Sequence, residues 1–206
     1  MNSPSASPWS QELQIMLRPT SAYRRLPELS VVPVKWLALR RPFLFALVLG
    51  CMVSFAASGR LTLRLVIPAT IYAALVVLIE ILALAVVRPK GLPETSSPSF
   101  PRALDLFFAG FGPWLLWLIA FAAVWALASP VNAFRWTGPR RDLYLVGGIA
   151  LWSCYIDFCF FRQVFQATRG RAARDLLAQR AISWTLAIII FGAGPLWSEI
   201  VRILGI

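Results

Sequence analysis

The chain has 206 residues, of which 59% are hydrophobic and only 14% charged, against roughly a quarter charged in an average soluble domain. With a mean hydropathy of +0.71, that composition points to a membrane protein. Histidine is absent, which excludes His-ligated haem, His-bearing zinc or copper sites, and Ser-His or Cys-His catalysis. Cys51, Cys154 and Cys159 all fall in apolar stretches, where a thiol behaves as a small hydrophobe. The net charge of +11 arises from 18 arginines and two lysines against nine acids. Because these cations lie between the apolar runs, they point to anionic lipid headgroups and not to nucleic acid.

From the N-terminus, MNSPSASPWSQELQ shows no basic segment followed by an apolar core, so no cleavable signal peptide is expected. Trp9, Leu13, Met16 and Leu17 recur at helical spacing and predict an amphipathic helix lying in the interface, ended by Pro19. Five apolar runs follow, over about 43–58, 65–87, 106–128, 143–161 and 181–198. The shortest covers about 24 Å at the helical rise, so it is expected to extend back towards Trp36, with Arg40 and Arg41 snorkelling. Because the runs are continuously apolar and lack period-two alternation, they predict helices and not barrel strands. The expected fold is therefore an all-α integral membrane protein. Residues 1–42 form a cytoplasmic segment with its interfacial helix, and residues 43–206 form a five-transmembrane-helix bundle.

Counting Lys and Arg over the connecting segments gives 14 on the N-terminal side and six on the other. The positive-inside rule then predicts a cytoplasmic N-terminus and a C-terminus on the opposite face. The second connection, RPKGLPETSSPSFPR, is rich in proline and serine and is expected to be non-helical. The fourth, RQVFQATRGRAARDLLAQRA, is expected to be a basic surface helix interrupted near Gly170. Its Arg162, Arg169, Arg171, Arg174 and Arg180 are candidates for topology control or for docking an anionic lipid or cytosolic partner. Breaks are expected at Pro68, at Gly112-Pro113 and at Gly192-Ala193-Gly194-Pro195, the last making either a discontinuous helix or an interfacial tail. Trp114, Trp117, Phe121 and Trp125 form an aromatic row that reads as a packing seam or a ligand cage.

Acids within apolar runs draw attention because insertion of a charge into hydrocarbon costs a few kcal/mol. Glu80 lies eight residues before Arg88 and Asp157 five before Arg162, so both sit on the cytoplasmic side of their runs and can share a polar pocket. They read either as a proton, cation or substrate site, or as acids hydrogen-bonded across helices. Glu199 and Arg202 read as a surface pair.

The opening LQIMLRPTSAYRRL, the five runs, and LWSCYIDFCFFRQVFQATRGRAARDLLAQRAISW leading into the last run together resemble bacterial members of the Yip family of Rab-interacting-type membrane proteins. The DLYGP-type signature of the eukaryotic members is absent. The resemblance implies a small multi-pass scaffold that influences membrane trafficking or remodelling, with no catalytic residues to carry over. The leading expectation is thus a non-enzymatic scaffold, adaptor or accessory subunit of a membrane complex, with no cofactor and no metal. It would bind a membrane-protein partner or a second copy of itself, in a bacterial cytoplasmic (inner) membrane. The alternative is a small transporter or permease component using Glu80 and Asp157; a lipid-modifying enzyme lacks the convergent polar group it would need.

Overall fold

The computed structural model describes the backbone over residues 10–29, 38–88, 98–127 and 139–204, and the side chains within it except at 26–29, 125–127, 139–145 and 193–204. Trp9, Trp36, Trp125, most of the second connection, and the Glu199–Arg202 pair therefore lie outside the described side chains. Among the described residues the fold is all-helical: α1 Gln11–Leu17, α2 Pro19–Leu29, α3 Arg40–Ser58, α4 Leu63–Val87, α5 Phe100–Ala109, α6 Gly112–Leu127, α7 Pro139–Val164 and α8 Arg169–Leu204.

The N-terminal stripe forms a helix, but a shorter and differently turned one. Ser10 caps α1 by accepting from the Leu13 amide at 3.3 Å. The face it buries centres on Ile15, while Leu17 is 59% exposed. Pro19 ends α1 as expected and also begins α2, since a proline at the first helical position sacrifices no backbone hydrogen bond. The second connection also ends earlier than its composition implies: α5 starts at Phe100 with Pro101 in its first turn, so Phe100, Pro101 and Arg102 are helical.

Among the described residues three helices are long and apolar enough to cross a membrane: Arg40–Ser58, Leu63–Val87 and Arg169–Gly192. A fourth crossing results if Phe100–Ala109 and Gly112–Val124, bent by 41°, count as one. The break comes at Gly110–Phe111, just before the expected Gly112-Pro113, because Pro113 is tolerated in the first turn of α6. A Cβ at Gly110 would lie 2.6 Å from Tyr23 Oη and 2.9 Å from Ile156 Cγ2, so only glycine lets this bend seat against α2 and α7. The run expected over 143–161 falls in α7, whose residues 139–145 lie outside the described side chains, so α7 is not among the crossings counted over the described residues. In α8 the helix continues through Gly192, Ala193, Gly194 and Pro195, where a break is expected. At 36 residues and about 1.5 Å each, α8 exceeds the thickness of a bilayer, so its basic first turns extend beyond the apolar length that follows. The interruption expected near Gly170 lies instead at 165–168, between α7 and α8.

Helices α3 and α4 form an antiparallel hairpin. Gly50 is buried against Thr70, where a Cβ would lie 2.8 Å from the Thr70 amide nitrogen and would overlap its side chain, so a small residue sets the approach of the two backbones. Counted from that approach, Arg41 lies nine residues back along α3 and Ile79, beside Glu80, nine forward along α4.

That level divides the molecule. On one side α1, α2, α5, the end of α7 and the start of α8 enclose a core in which Ile15, Tyr23, Leu106, Phe107, Ile156, Phe160 and Phe161 are fully buried. Its aromatic rings meet edge to face, as in Tyr23–Phe160, Phe107–Phe160 and Phe160–Phe165 at 5.7, 5.4 and 5.3 Å. On the other side the helices expose large apolar residues: Phe43, Leu47 and Val53 on α3, Leu63, Ile67 and Ile71 on α4, Leu116 and Ile119 on α6, Leu151 on α7, and Trp184 and Ile188 on α8; on the enclosed side Leu17, Leu82, Val86 and Leu177 are exposed. Of the Trp114–Trp125 row, Trp114 and Trp117 meet at 90° and Trp117 stacks on Phe121 at 5.3 Å, a packing arrangement.

Candidate functional site

Two charged clusters occupy the dividing level. The first joins α4, α7 and α8. Arg180 of α8 donates to Asp157 of α7, and its Nη1 lies 3.7 Å from Glu80 of α4. One turn's breadth of α8 supplies the other contacts: Gln179 donates to Glu80, and its Nε2 also lies 3.2 Å from Ser183 Oγ. The side chains of Asp157, Glu80 and Arg180 are 2%, 12% and 24% exposed. Residues 179, 180 and 183 occupy one face of α8 because they are separated by one, three and four positions. Two acids therefore share one guanidinium, and the low-dielectric surroundings make each contact stronger than it would be in water. Gln179 Oε1 and Arg180 Nε are buried with no hydrogen-bond partner among the described residues.

The second cluster joins α1, α3 and α5. Arg41 of α3 lies 2.5 Å from Asp105 of α5 and 2.8 Å from Glu12 of α1, and it donates to the Gln11 side chain at 2.9 Å. Arg102 closes the group from one turn before Asp105, at 3.0 Å. Asp105 and Arg102 are each 7% exposed and Arg41 is 11% exposed. Burial raises the Glu12 carboxyl, but backbone hydrogen bonding at the start of α1 and the Arg41 guanidinium together hold it below the usual carboxylate range. Two cations balance two acids here, so the cluster is a neutral clasp between the N-terminal segment and the bundle.

Tyr23 of α2 lies between the clusters. Its hydroxyl donates to the Leu106 carbonyl at 3.3 Å, which satisfies an acceptor near the α5–α6 bend. Burial, reinforced by the nearby Asp157 carboxylate, pushes the Tyr23 hydroxyl well above its ordinary value, so it remains a donor.

The expected pair Glu80 and Asp157 is thus brought together, through an arginine that the sequence places among the docking residues. Arg180 departs from that group because it faces inward. Arg169 and Arg171 are exposed, and Arg171 and Arg174 lie 3.7 and 3.4 Å from Asp175. Arg162 is partly buried at the end of α7. Arg41 does not snorkel, and Arg102, which the sequence assigns to a solvated connection, is buried. The sequence offered one signal for this second cluster: Asp105 opens an apolar run three residues after an arginine, the spacing of a helical ion pair. Among the described residues no group of three or more His, Cys, Asp or Glu side chains is arranged to hold a metal ion. Comparison with protein-family models, with curated proteins and with solved structures finds no match to this chain.

Proposed function

We propose that the chain is a non-enzymatic, multi-pass membrane scaffold or adaptor. Its exposed apolar half lies in a bilayer and its enclosed half forms a helical cap on the cytoplasmic face. The observation that carries this reading is the distribution of charge and burial. Among the described residues Glu80, Asp105 and Asp157 are engaged with arginines of neighbouring helices and so hold helices together, while what faces outward is an apolar girdle and a basic cap surface. In the same proposal α7 is the fifth crossing, so the N-terminus is cytoplasmic and the C-terminus is on the other face. The arginine-rich cytoplasmic side fits a bacterial inner membrane. A Yip-like adaptor role fits as well, and rests on the N-terminal motif and the helix order alone. The adaptor acts through a membrane-protein partner or a second copy of itself.

A second reading, a small transporter component, draws on two atoms without a hydrogen-bond partner among the described residues, Gln179 Oε1 and Arg180 Nε, beside Glu80 and Asp157. The two readings separate when wild type is compared with a charge-free variant, Glu80→Gln, Asp157→Asn and Arg180→Met. Co-purification in mild detergent and ion or proton flux in proteoliposomes are measured for both. A stoichiometric partner retained by both forms supports the scaffold. A flux present in wild type and lost in the folded variant supports transport and overturns the scaffold reading.

A further inference from the structure

The corner between α1 and α2 carries a feature that neither cluster uses. A crevice of about 300 Å³ opens there between α2 and α7, with Arg18, Thr20 and Arg24 on one wall and Trp152 and Tyr155 on the other. That is the lower end of the range for ligand-sized clefts. A second hollow of about 350 Å³ adjoins it through Leu17, Arg18 and Ser21, and brings in Arg25. Arg18, Arg24 and Arg25 are exposed, and among the described residues none lies within ion-pairing distance of an acid. By contrast Arg41, Arg102 and Arg180 at the dividing level are all paired. Glu28, whose side chain is outside the described residues, is the single acid of α2. The wall opposite is fixed: the Trp152 indole donates to the Met16 carbonyl at 3.2 Å, and the Tyr155 hydroxyl lies 3.5 Å from Thr20 Oγ1.

Position decides what such a crevice takes. Trp152 precedes Asp157 by five residues, about 7 Å along the helix towards the apolar half. Leu151 beside it is 74% exposed and Leu17 at the corner 59% exposed. Aromatic residues of amphipathic character are characteristic of the headgroup level, and each arginine near an anionic surface adds attraction to it. An occupant must therefore present a phosphate to the guanidiniums and acyl chains to the leucines.

We infer that the α1–α2 corner and α7 form a binding site for one anionic glycerophospholipid. Its phosphate is held by Arg18 and Arg24, and its chains run along Leu17 and Leu151. The site couples lipid composition to the N-terminal segment, because its arginine wall is also the link between α1 and α2. The inference rests on the membrane reading but not on the adaptor reading, so a missing partner leaves it intact and a missing lipid leaves the partner test intact.

The test uses the full chain in nanodiscs of phosphatidylcholine mixed with phosphatidylglycerol, released into the gas phase for native mass spectrometry. Wild type is expected to retain one phosphatidylglycerol in preference to phosphatidylcholine. Arg18→Gln with Arg24→Gln is expected to lower that retention roughly tenfold or more, given the attraction that each basic residue contributes at an anionic surface. Arg60→Gln with Arg64→Gln, two exposed arginines at the far end of the α3–α4 hairpin, is expected to leave it unchanged. Matching circular dichroism and elution volume establish that both variants fold. Equal retention by wild type and the Arg18/Arg24 variant, or equal retention of the two lipids by wild type, overturns the assignment. So does complete displacement of the lipid by millimolar inorganic phosphate, which would make the site one for soluble phosphate.

Discussion

Replacing Arg180 by methionine tests the three-helix cluster most severely. The substitution keeps the length and apolar stem of the side chain but leaves Asp157 and Glu80, 2% and 12% exposed, side by side with no cation. Removing one partner of a buried ion pair typically costs about 3–5 kcal/mol, because the remaining charge is left uncompensated. For a chain of this size each kcal/mol lowers the melting temperature by about 2–4 °C, so a fall of roughly 6–20 °C is expected. The acids themselves are predicted to be much less sensitive. Glu80→Gln leaves the balanced Asp157–Arg180 pair, and Asp157→Asn leaves Arg180 facing Glu80 at 3.7 Å, so each should cost about 1–2 kcal/mol. The charge-free triple variant should recover to within about 1–2 kcal/mol of wild type, since replacing a whole buried ionic group by neutral residues is often close to neutral. Size-exclusion chromatography of detergent-solubilised protein after heating gives the ordering. An Arg180→Met protein as stable as wild type, or a triple variant as unstable as that single one, would refute the argument that Arg180 compensates the acids.

Three further predictions follow from other contacts. Arg41→Ala unclasps α1 from α3 and α5 by about 2 kcal/mol, the worth of hydrogen bonds to charged groups. Trypsin cleavage after Arg24 or Arg25 should accelerate roughly 30-fold if cleavage follows local opening. Protection of the same segment, followed by hydrogen exchange across the acid range, should depend on pH through Glu12. Because its folded value lies below its ordinary 4.5, the contribution is complete above that value and is lost as the pH falls through the folded one; Glu12→Gln should remove this dependence, and an unchanged acid profile would sink the assignment. Gly50→Ala drives a methyl into Thr70 and should destabilise the α3–α4 hairpin by about 1–3 kcal/mol, whereas Thr70→Ala in the same background should relieve part of the loss. Thermal shift measurements on the two variants decide it.

Helix type and most of the apolar lengths were legible in the sequence, because continuous apolar runs of near-bilayer length leave few alternatives. The sequence left open whether Glu80 and Asp157 meet, since lying eight and five residues before a basic end allows a shared pocket without requiring one. Which arginine would serve them was not legible. Arg180 stands in a row of five basic residues, and which side of α8 faces the bundle depends on how that helix packs against α4 and α7. The N-terminal segment shows the same limit. The stripe through Leu13, Met16 and Leu17 describes a helix on a surface, but the competing burial of Ile15 and the Glu12–Arg41 contact turned it. Arg41 and Arg102 looked like interfacial residues because each borders an apolar run, and only α5 folding inward to bring Asp105 between them makes both internal. The break at Gly110 was displaced from the expected proline because the constraint there is the approach of Tyr23 and Ile156, a tertiary contact that no local pattern announces.

The account's central claim is that the level of the two charged clusters marks a membrane boundary, with the cap on one side and the α3–α4 turn on the other. Single cysteines placed in a chain whose Cys51, Cys154 and Cys159 are replaced by alanine test it directly. Leu177→Cys reports on the cap and Leu61→Cys on the turn, positions that are 69% and 63% exposed. Labelling with a membrane-impermeant maleimide should reach Leu177→Cys only in inverted membrane vesicles and Leu61→Cys only in right-side-out ones. Labelling of both positions from the same face would contradict the claim.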